Sequence, residues 1–374
     1  MREIELKDIK NIHYYGRIGT KKYPYPMFGT ASGIELQVKA KELWIEFESD
    51  YEKYEPWVSI LIDEAKVSRQ MILKGKHWIP AIINLDDNIS RTIRIVKDTQ
   101  AMNGDEKCFL RISKIKIDGE LYPVEEKKMK IEFIGDSITS GEGASGAKNE
   151  MEWVPMVFSG VDNYATMIAK DLRADYRIIS QSGWGVLSSW DGNPKCNLPS
   201  YYKMVCGYAN GAENERDGAY DNYDFNSWIA DYIIINLGTN DYSAFSQPSV
   251  YYDENGILFD QKKDENGELE EKSLDRLKKS IYSFIKEVRS FNSKAKIIWA
   301  YGMLGSELSE VIQTTVRKFK TEEKDKNIFY IELQQASPEM LGSREHPGFL
   351  CHQQAEEKLV SYIQSLEEKN LTKY

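Results

Sequence analysis

The sequence predicts two units in series: an all-β sandwich over residues 1–127, then an α/β domain with a parallel sheet over residues 128–374. Three observations carry this. Residues 1–127 alternate apolar and polar side chains with a period of two and show no helical period. From Lys130 onward, near-continuous apolar runs alternate with amphipathic stretches, as strands do when helices cover both sheet faces. Between the two lies the charged stretch 123–129, which opens on Pro123 and has the composition of an exposed linker.

In the first unit the strand-like segments are 34–40, 43–48, 57–62, 93–96 and 109–117. In the second, apolar strands are expected at 130–134, 176–180, 231–237, 296–301 and 328–333. Helices fall between them. Leu274, Leu277, Ile281, Phe284, Ile285 and Val288 form one stripe over 274–290. Leu308, Val311, Ile312, Val316 and Phe319 do the same over 307–320, and Ala355, Leu359, Ile363 and Leu366 over 352–366. Asp253-Glu-Asn-Gly and Asp264-Glu-Asn-Gly are turn signals around Ile257-Leu-Phe, so 251–273 is expected as an inserted hairpin or loop. Neither copy offers oxygen ligands at alternate positions, which argues against a calcium loop.

Composition narrows the partners. The chain has 374 residues and a formal net charge of −10, a poor match for nucleic acid or an anionic membrane. No run of about 18 apolar residues suggests a membrane span. The first fifteen residues are charged and have no apolar core of a secretory signal, so the expected compartment is the cytoplasm. Cys108, Cys196, Cys206 and Cys351 lie scattered, a pattern of neither a disulfide framework nor a zinc site. The 23 Tyr and 8 Trp suit flat, partly polar ligands, although most such rings serve as packing. Nothing in the sequence sets the oligomeric state.

The chemistry-bearing residues follow strands. Ser137 stands in Ile131-Glu-Phe-Ile-Gly-Asp-Ser, at the mouth of an apolar run. There its hydroxyl can be exposed and its N–H aimed at an oxyanion, with Gly135 allowing a tight turn. Asn240, in Ile235-Asn-Leu-Gly-Thr-Asn-Asp, can donate an amide hydrogen to the same oxyanion. Of four histidines, His13 and His77 lie in the β unit. His346, in a loop before the last helix and followed by Pro347, is the preferred base, while His352 is expected to pack or cap.

Gly135-Asp136-Ser137, a glycine within Ser182-Gly183-Trp184-Gly185, Gly238-Thr-Asn240-Asp and His346-Pro347 together resemble the four blocks of the SGNH (GDSL-type) hydrolase superfamily. With an all-β unit in front, the chain looks most like carbohydrate esterase family 2. That resemblance implies a jelly-roll domain joined to a three-layer α/β SGNH hydrolase domain. It further implies a serine acetyl esterase that deacetylates plant-derived oligosaccharides of manno-, xylo- or gluco-type, with no metal or organic cofactor. By the same resemblance Ser137 is the nucleophile and His346 the base. The oxyanion hole is formed by the N–H groups of Ser137 and Gly183 (preferred over Gly185) and the Asn240 side chain. One position departs from the pattern: the superfamily carries Asp three residues before the histidine, and here Ser343 stands there. His346 is then expected to be held by a backbone carbonyl or by Ser343, with no role for Glu345. Trp184, inside the oxyanion block, is the candidate to face a sugar. Trp153, Phe158, Trp190, Tyr201 and Tyr202 are expected mainly as packing of the inserted segments. The alternatives are a thioesterase or lysophospholipase-like SGNH enzyme, and a carbohydrate-binding protein without activity.

Overall fold

The computed structural model describes residues 1–371. Eleven strands precede residue 123: β1 (Arg2–Glu5), β2 (Ile12–Tyr15), β3 (Tyr25–Pro26), β4 (Gly33–Lys39), β5 (Leu43–Asp50), β6 (Trp57–Ile62), β7 (Ala65–Met71), β8 (Gly75–Ile82), β9 (Arg91–Lys97), β10 (Phe109–Ile117) and β11 (Glu120–Tyr122). They build two antiparallel sheets. One runs β1-β10-β5-β8 with β3 also on β10; the other runs β11-β4-β9-β6-β7 with β2 also on β4. Alternation decides which side faces in: along β5, Leu43, Ile45 and Phe47 are fully buried while Trp44, Glu46 and Glu48 are not. In β10 the phase changes, with Leu110 and Ile112 inward and then Ile115 and Ile117. A register shift between Ile112 and Lys114 takes up the extra residue. β7 was not expected from sequence. It lies at a sheet edge with its side chains largely exposed, so no apolar alternation marks it.

The second unit contains β12 (Lys130–Gly135), β13 (Asp175–Ser180), β14 (Tyr232–Asn236), β15 (Lys296–Tyr301) and β16 (Ile328–Glu332). They pair in parallel in the order β13-β12-β14-β15-β16. Helices α1 (Ser137–Ser140), α2 (Tyr164–Asp171), α3 (Ala212–Arg216), α4 (Thr239–Ala244), α5 (Glu271–Phe291), α6 (Ser309–Glu322) and α7 (Phe349–Leu371) connect them. The buried stripes of α5 and α6 share one apolar cluster with Ile233, Ile235, Ile297 and Trp299, while those of α2 and α7 share another with Ile131, Phe133, Ile234 and Ile298. The parallel sheet is thus the middle of three layers. Within the segment expected as a hairpin or loop, 252–258 and 263–269 form two small bridged turns, and 271–273 already belong to α5. In each, the aspartate (Asp253, Asp264) accepts N–H bonds from its own turn. Among the described residues no helix is long and apolar enough to cross a membrane.

The two units are packed closely. Tyr15, Ala31, Leu61 and Val96 belong to the same apolar cluster as Tyr164, Ala165 and Tyr176. Buried ion pairs cross the junction. Arg17 pairs with buried Glu132 at 3.1 Å and lies over the rings of Tyr202 and Tyr223. Arg111 pairs with Asp217 and, at 2.7 Å, with Glu213. A buried charge left without such a partner would cost several kcal/mol, about 3–5 by typical measurement.

Candidate active site

Three neighbouring strands set the site. Gly135 at the end of β12 pairs with Ser180 of β13 on one side and Asn236 of β14 on the other. The chain runs from β12 to β13 on one side and then crosses back past β12 to β14 on the other, so a crevice opens beyond their carboxyl ends. Ser137, Gly183 and Asn240 lie in the segments that follow these three ends. His346 comes from the loop between β16 and α7.

Ser137 is the first residue of α1 and is 5% exposed. Asp136 caps the helix by accepting the Ile138 N–H at 3.0 Å. Gly135 is required for space rather than for a tight turn: a Cβ there would sit 2.0 Å from Thr139 Oγ1 and 2.9 Å from the Asn236 carbonyl oxygen. His346 Nε2 lies 3.0 Å from Ser137 Oγ, and its Nδ1 lies 2.9 Å from the Arg344 carbonyl oxygen. A carbonyl only accepts, so Nδ1 carries the hydrogen and Nε2 presents its lone pair to the serine hydroxyl.

The expectation for the departing position resolves in favour of the backbone. Ser343 is fully buried and donates to the Ser145 carbonyl at 2.7 Å, away from the imidazole. Arg344 and Glu345 both have left-handed backbones, with φ of 57° and 55°. For a non-glycine residue this costs about 1–2 kcal/mol. The turn aims the Arg344 carbonyl back at His346 two residues on. Arg344 is pinned at three points: its N–H donates to the Glu150 carbonyl at 2.7 Å, Nη1 to the Met151 carbonyl at 2.7 Å, and Nε to Glu142 Oε1 at 2.6 Å. Glu345 is exposed. His352 is fully buried, accepts the Tyr164 N–H at 3.2 Å and stacks on that ring. Burial lowers its pKa to about 3, so it stays neutral.

Gly183 has φ of +80°, a backbone that a side chain would strain. Among the described residues its N–H has no hydrogen-bond partner, whereas the Gly185 N–H donates to the Ser188 carbonyl at 2.8 Å. Asn240 Nδ2 sits 3.2 Å from Asp136 Oδ2 and 3.1 Å from the Trp184 carbonyl oxygen. Next to it, buried Asp241 accepts the N–H groups of Val186, Leu187 and Ser188 at 2.8, 2.7 and 3.3 Å, which ties the chain after the glycine block to α4. Burial raises the Asp241 pKa to about 6, against those three bonds. Burial likewise raises Asp136 to about 7, opposed by the Ile138 N–H and reinforced by the charges of Asp241 and Glu142.

The aromatic expectations divide. Trp184 does not face a ligand: it is 5% exposed and packs against Tyr201 and Tyr208 in the core. Only its carbonyl touches the site. The exposed ring is that of Trp190, 50% accessible; the residue's backbone N–H donates to the Gly183 carbonyl at 2.9 Å and its ring lies over the Gly183 Cα. In an irregular loop nothing in the spacing tells which of two tryptophans turns outward. Phe158 and Tyr202 are fully buried, and Trp153 packs edge-on against Tyr54 and Phe158.

Two further residues were not legible in the sequence. Gln100, fully buried in the segment between β9 and β10 of the antiparallel unit, accepts the Ser182 N–H at 2.7 Å and the Ser140 hydroxyl at 2.9 Å. It therefore braces both the glycine block and the serine helix. Glu142, 1% exposed, accepts from the Ser182 hydroxyl as well as from Arg344, and its Oε1 lies 3.7 Å from His346 Nε2.

Known proteins share this fold. An acetyl xylan esterase (Est2A) from the rumen bacterium Butyrivibrio proteoclasticus is 39% identical, superposes with a TM-score of 0.96, and is matched over 98% of this chain and 100% of its own. A family two carbohydrate esterase from Clostridium thermocellum, solved in complex with cellohexaose, has the same fold at 21% identity and a TM-score of 0.78, over 96% and 99% of the two chains. An acetylxylan esterase/glucomannan deacetylase of Cellvibrio japonicus is 33% identical over 122 residues, 32% of this chain and 31% of the relative. The chain spans 25–49% of the length of the curated relatives it matches. Residues 131–357, which hold Ser137, Gly183, Asn240 and His346, match the GDSL-like lipase/acylhydrolase family, and the chain belongs to that family.

Proposed function

We propose that the protein is a carbohydrate O-acetyl esterase that removes acetyl groups from acetylated plant-type oligosaccharides, of manno-, xylo- or gluco-type, by a Ser-His acyl-enzyme mechanism. The observation that carries the proposal is the pair of bonds on one imidazole. His346 Nδ1 is fixed by the Arg344 carbonyl at 2.9 Å and Nε2 faces Ser137 Oγ at 3.0 Å. Likeness over the whole chain to an acetyl xylan esterase supports the same reading.

In this reading Ser137 Oγ attacks the acetyl carbonyl carbon while His346 Nε2 takes its proton. The carbonyl oxygen becomes an oxyanion received by the N–H groups of Ser137 and Gly183 and by Asn240 Nδ2. The imidazolium then protonates the departing sugar oxygen and the C–O bond breaks, leaving acetyl-Ser137. Water gives a proton to His346 Nε2 as its oxygen adds to that ester; the imidazolium then returns the proton to Ser137 Oγ as the bond to the acetyl carbon breaks, and acetate leaves. Trp190, exposed beside Gly183, offers a flat face to the sugar ring. A decayed, purely carbohydrate-binding site has less support, because the place of the missing carboxylate is filled by a carbonyl that holds the imidazole in working orientation.

The test is acetate release from acetylated manno- and xylo-oligosaccharides, wild type beside Ser137→Ala. Release that disappears in the variant is expected. A folded wild type that releases none, but cleaves aryl esters of longer acyl chains, would move the reading to a thioesterase-like enzyme.

A further inference from the structure

We propose that Glu142 is the positioning carboxylate of this site, supplied from the segment after the serine helix in place of the aspartate that position 343 lacks. The inference rests on the Ser-His reading above and deepens it.

The argument starts from what a backbone carbonyl cannot do. The Arg344 carbonyl fixes the orientation of His346 but brings no net charge to balance the imidazolium that forms when Ser137 loses its proton. Glu142 Oε1 lies 3.7 Å from Nε2, the atom that receives that proton. The same oxygen takes Arg344 Nε at 2.6 Å, and so helps hold the left-handed residue whose carbonyl grips Nδ1. The other carboxylate oxygen takes the Ser182 hydroxyl, next to Gly183. One buried side chain thereby joins the base, its backbone support and the glycine block. Glu142 is itself fixed, since its N–H donates to the Ser137 carbonyl at 3.0 Å.

The charged and titratable groups around this pair are few. Arg344 comes from the histidine's own loop, Asp136 from the serine's side, and neutral His352, with Asp162 beside it, from α7 and the segment before α2. Glu142 and Arg344 therefore act on the imidazolium with opposite signs. Removing the carboxylate leaves the guanidinium to oppose it; removing the guanidinium leaves the carboxylate to favour it.

The experiment measures kcat and KM on an aryl acetate against pH for wild type, Glu142→Gln, Arg344→Gln and Ser137→Ala, with folding checked by circular dichroism and melting. In Glu142→Gln, kcat should fall about tenfold with KM nearly unchanged, and the acid limb of kcat/KM should move by about half a pH unit to lower pH. In Arg344→Gln the limb should move to higher pH. A role limited to packing would lower the rate in both variants without displacing the limbs oppositely. Limbs that stay in place, or move together, overturn the proposal. Should Glu142→Gln not fold, the direction of the Arg344→Gln limb decides. Should Ser137→Ala keep the wild-type rate, the Ser-His reading itself falls, an outcome distinct from unmoved limbs in an enzyme that needs Ser137.

Discussion

The two halves of the molecule contribute to the crevice in different ways. The parallel-sheet half provides Ser137, Gly183, Asn240 and His346, each in a segment beyond a strand end. The antiparallel half provides no reacting group, yet its Gln100 holds both the Ser182 N–H and the Ser140 hydroxyl from behind. The difference separates two requirements of a hydrolase: groups that touch the ester, and groups that stop those from drifting. A loss of about 1 Å in placement costs roughly as much as a weak catalytic group.

Substitutions in the two halves should sharpen that contrast. The largest effect is expected in the reacting half, where Ser137→Ala or His346→Ala should lower kcat for deacetylation by about 10⁴-fold or more, read as acetate release. Asn240→Ala should lower kcat by about 10²–10³ with little change in KM, as loss of one oxyanion donor does. In the antiparallel half, Gln100→Leu leaves the Ser182 N–H and the Ser140 hydroxyl without their shared acceptor. It should cost about 1–3 kcal/mol in urea unfolding and lower kcat about tenfold. A Gln100→Leu enzyme with wild-type kcat would break the comparison, leaving the antiparallel half a wall only. Trp190→Ala should raise KM for oligosaccharides about three- to tenfold and leave an aryl acetate almost unaffected.

The smallest effect concerns pH. Burial depresses His352 from 6.5 to about 3, so its contribution to stability is full above 6.5 and is lost as pH falls toward 3. The stability difference between wild type and His352→Gln, from urea melts, should therefore shrink steadily over that range. Asp136 acts in the opposite sense. Raised from 3.8 to about 7, it favours the folded state most below 3.8, and that advantage disappears as pH rises through 7.

How far the sequence led depended on whether a residue's partners are near it in the chain. Ser137 and Asn240 were legible because each directly follows an apolar strand and carries a side chain with one evident use. The long helices were legible because their stripes repeat over several turns, whereas β7 is an exposed edge strand and α2 only eight residues long. A backbone carbonyl was among the expected supports of His346, but which carbonyl was beyond reach, because every residue possesses one. Its selection depends on two consecutive left-handed residues and on a carboxylate 202 positions away along the chain. Gln100 lies 82 positions from the N–H that it holds, so nothing local marks it out from any other polar residue after a strand.

The apolar cluster that Tyr15, Ala31, Leu61 and Val96 share with the parallel-sheet half has a consequence for anyone who would cut the molecule. A break within 123–129 would open a wet, sticky scar on both fragments and strip Arg17 and Glu132 of each other. Neither piece would behave as an interchangeable cassette. The smallest portable unit, for grafting onto another protein or for recombination in nature, is both halves together.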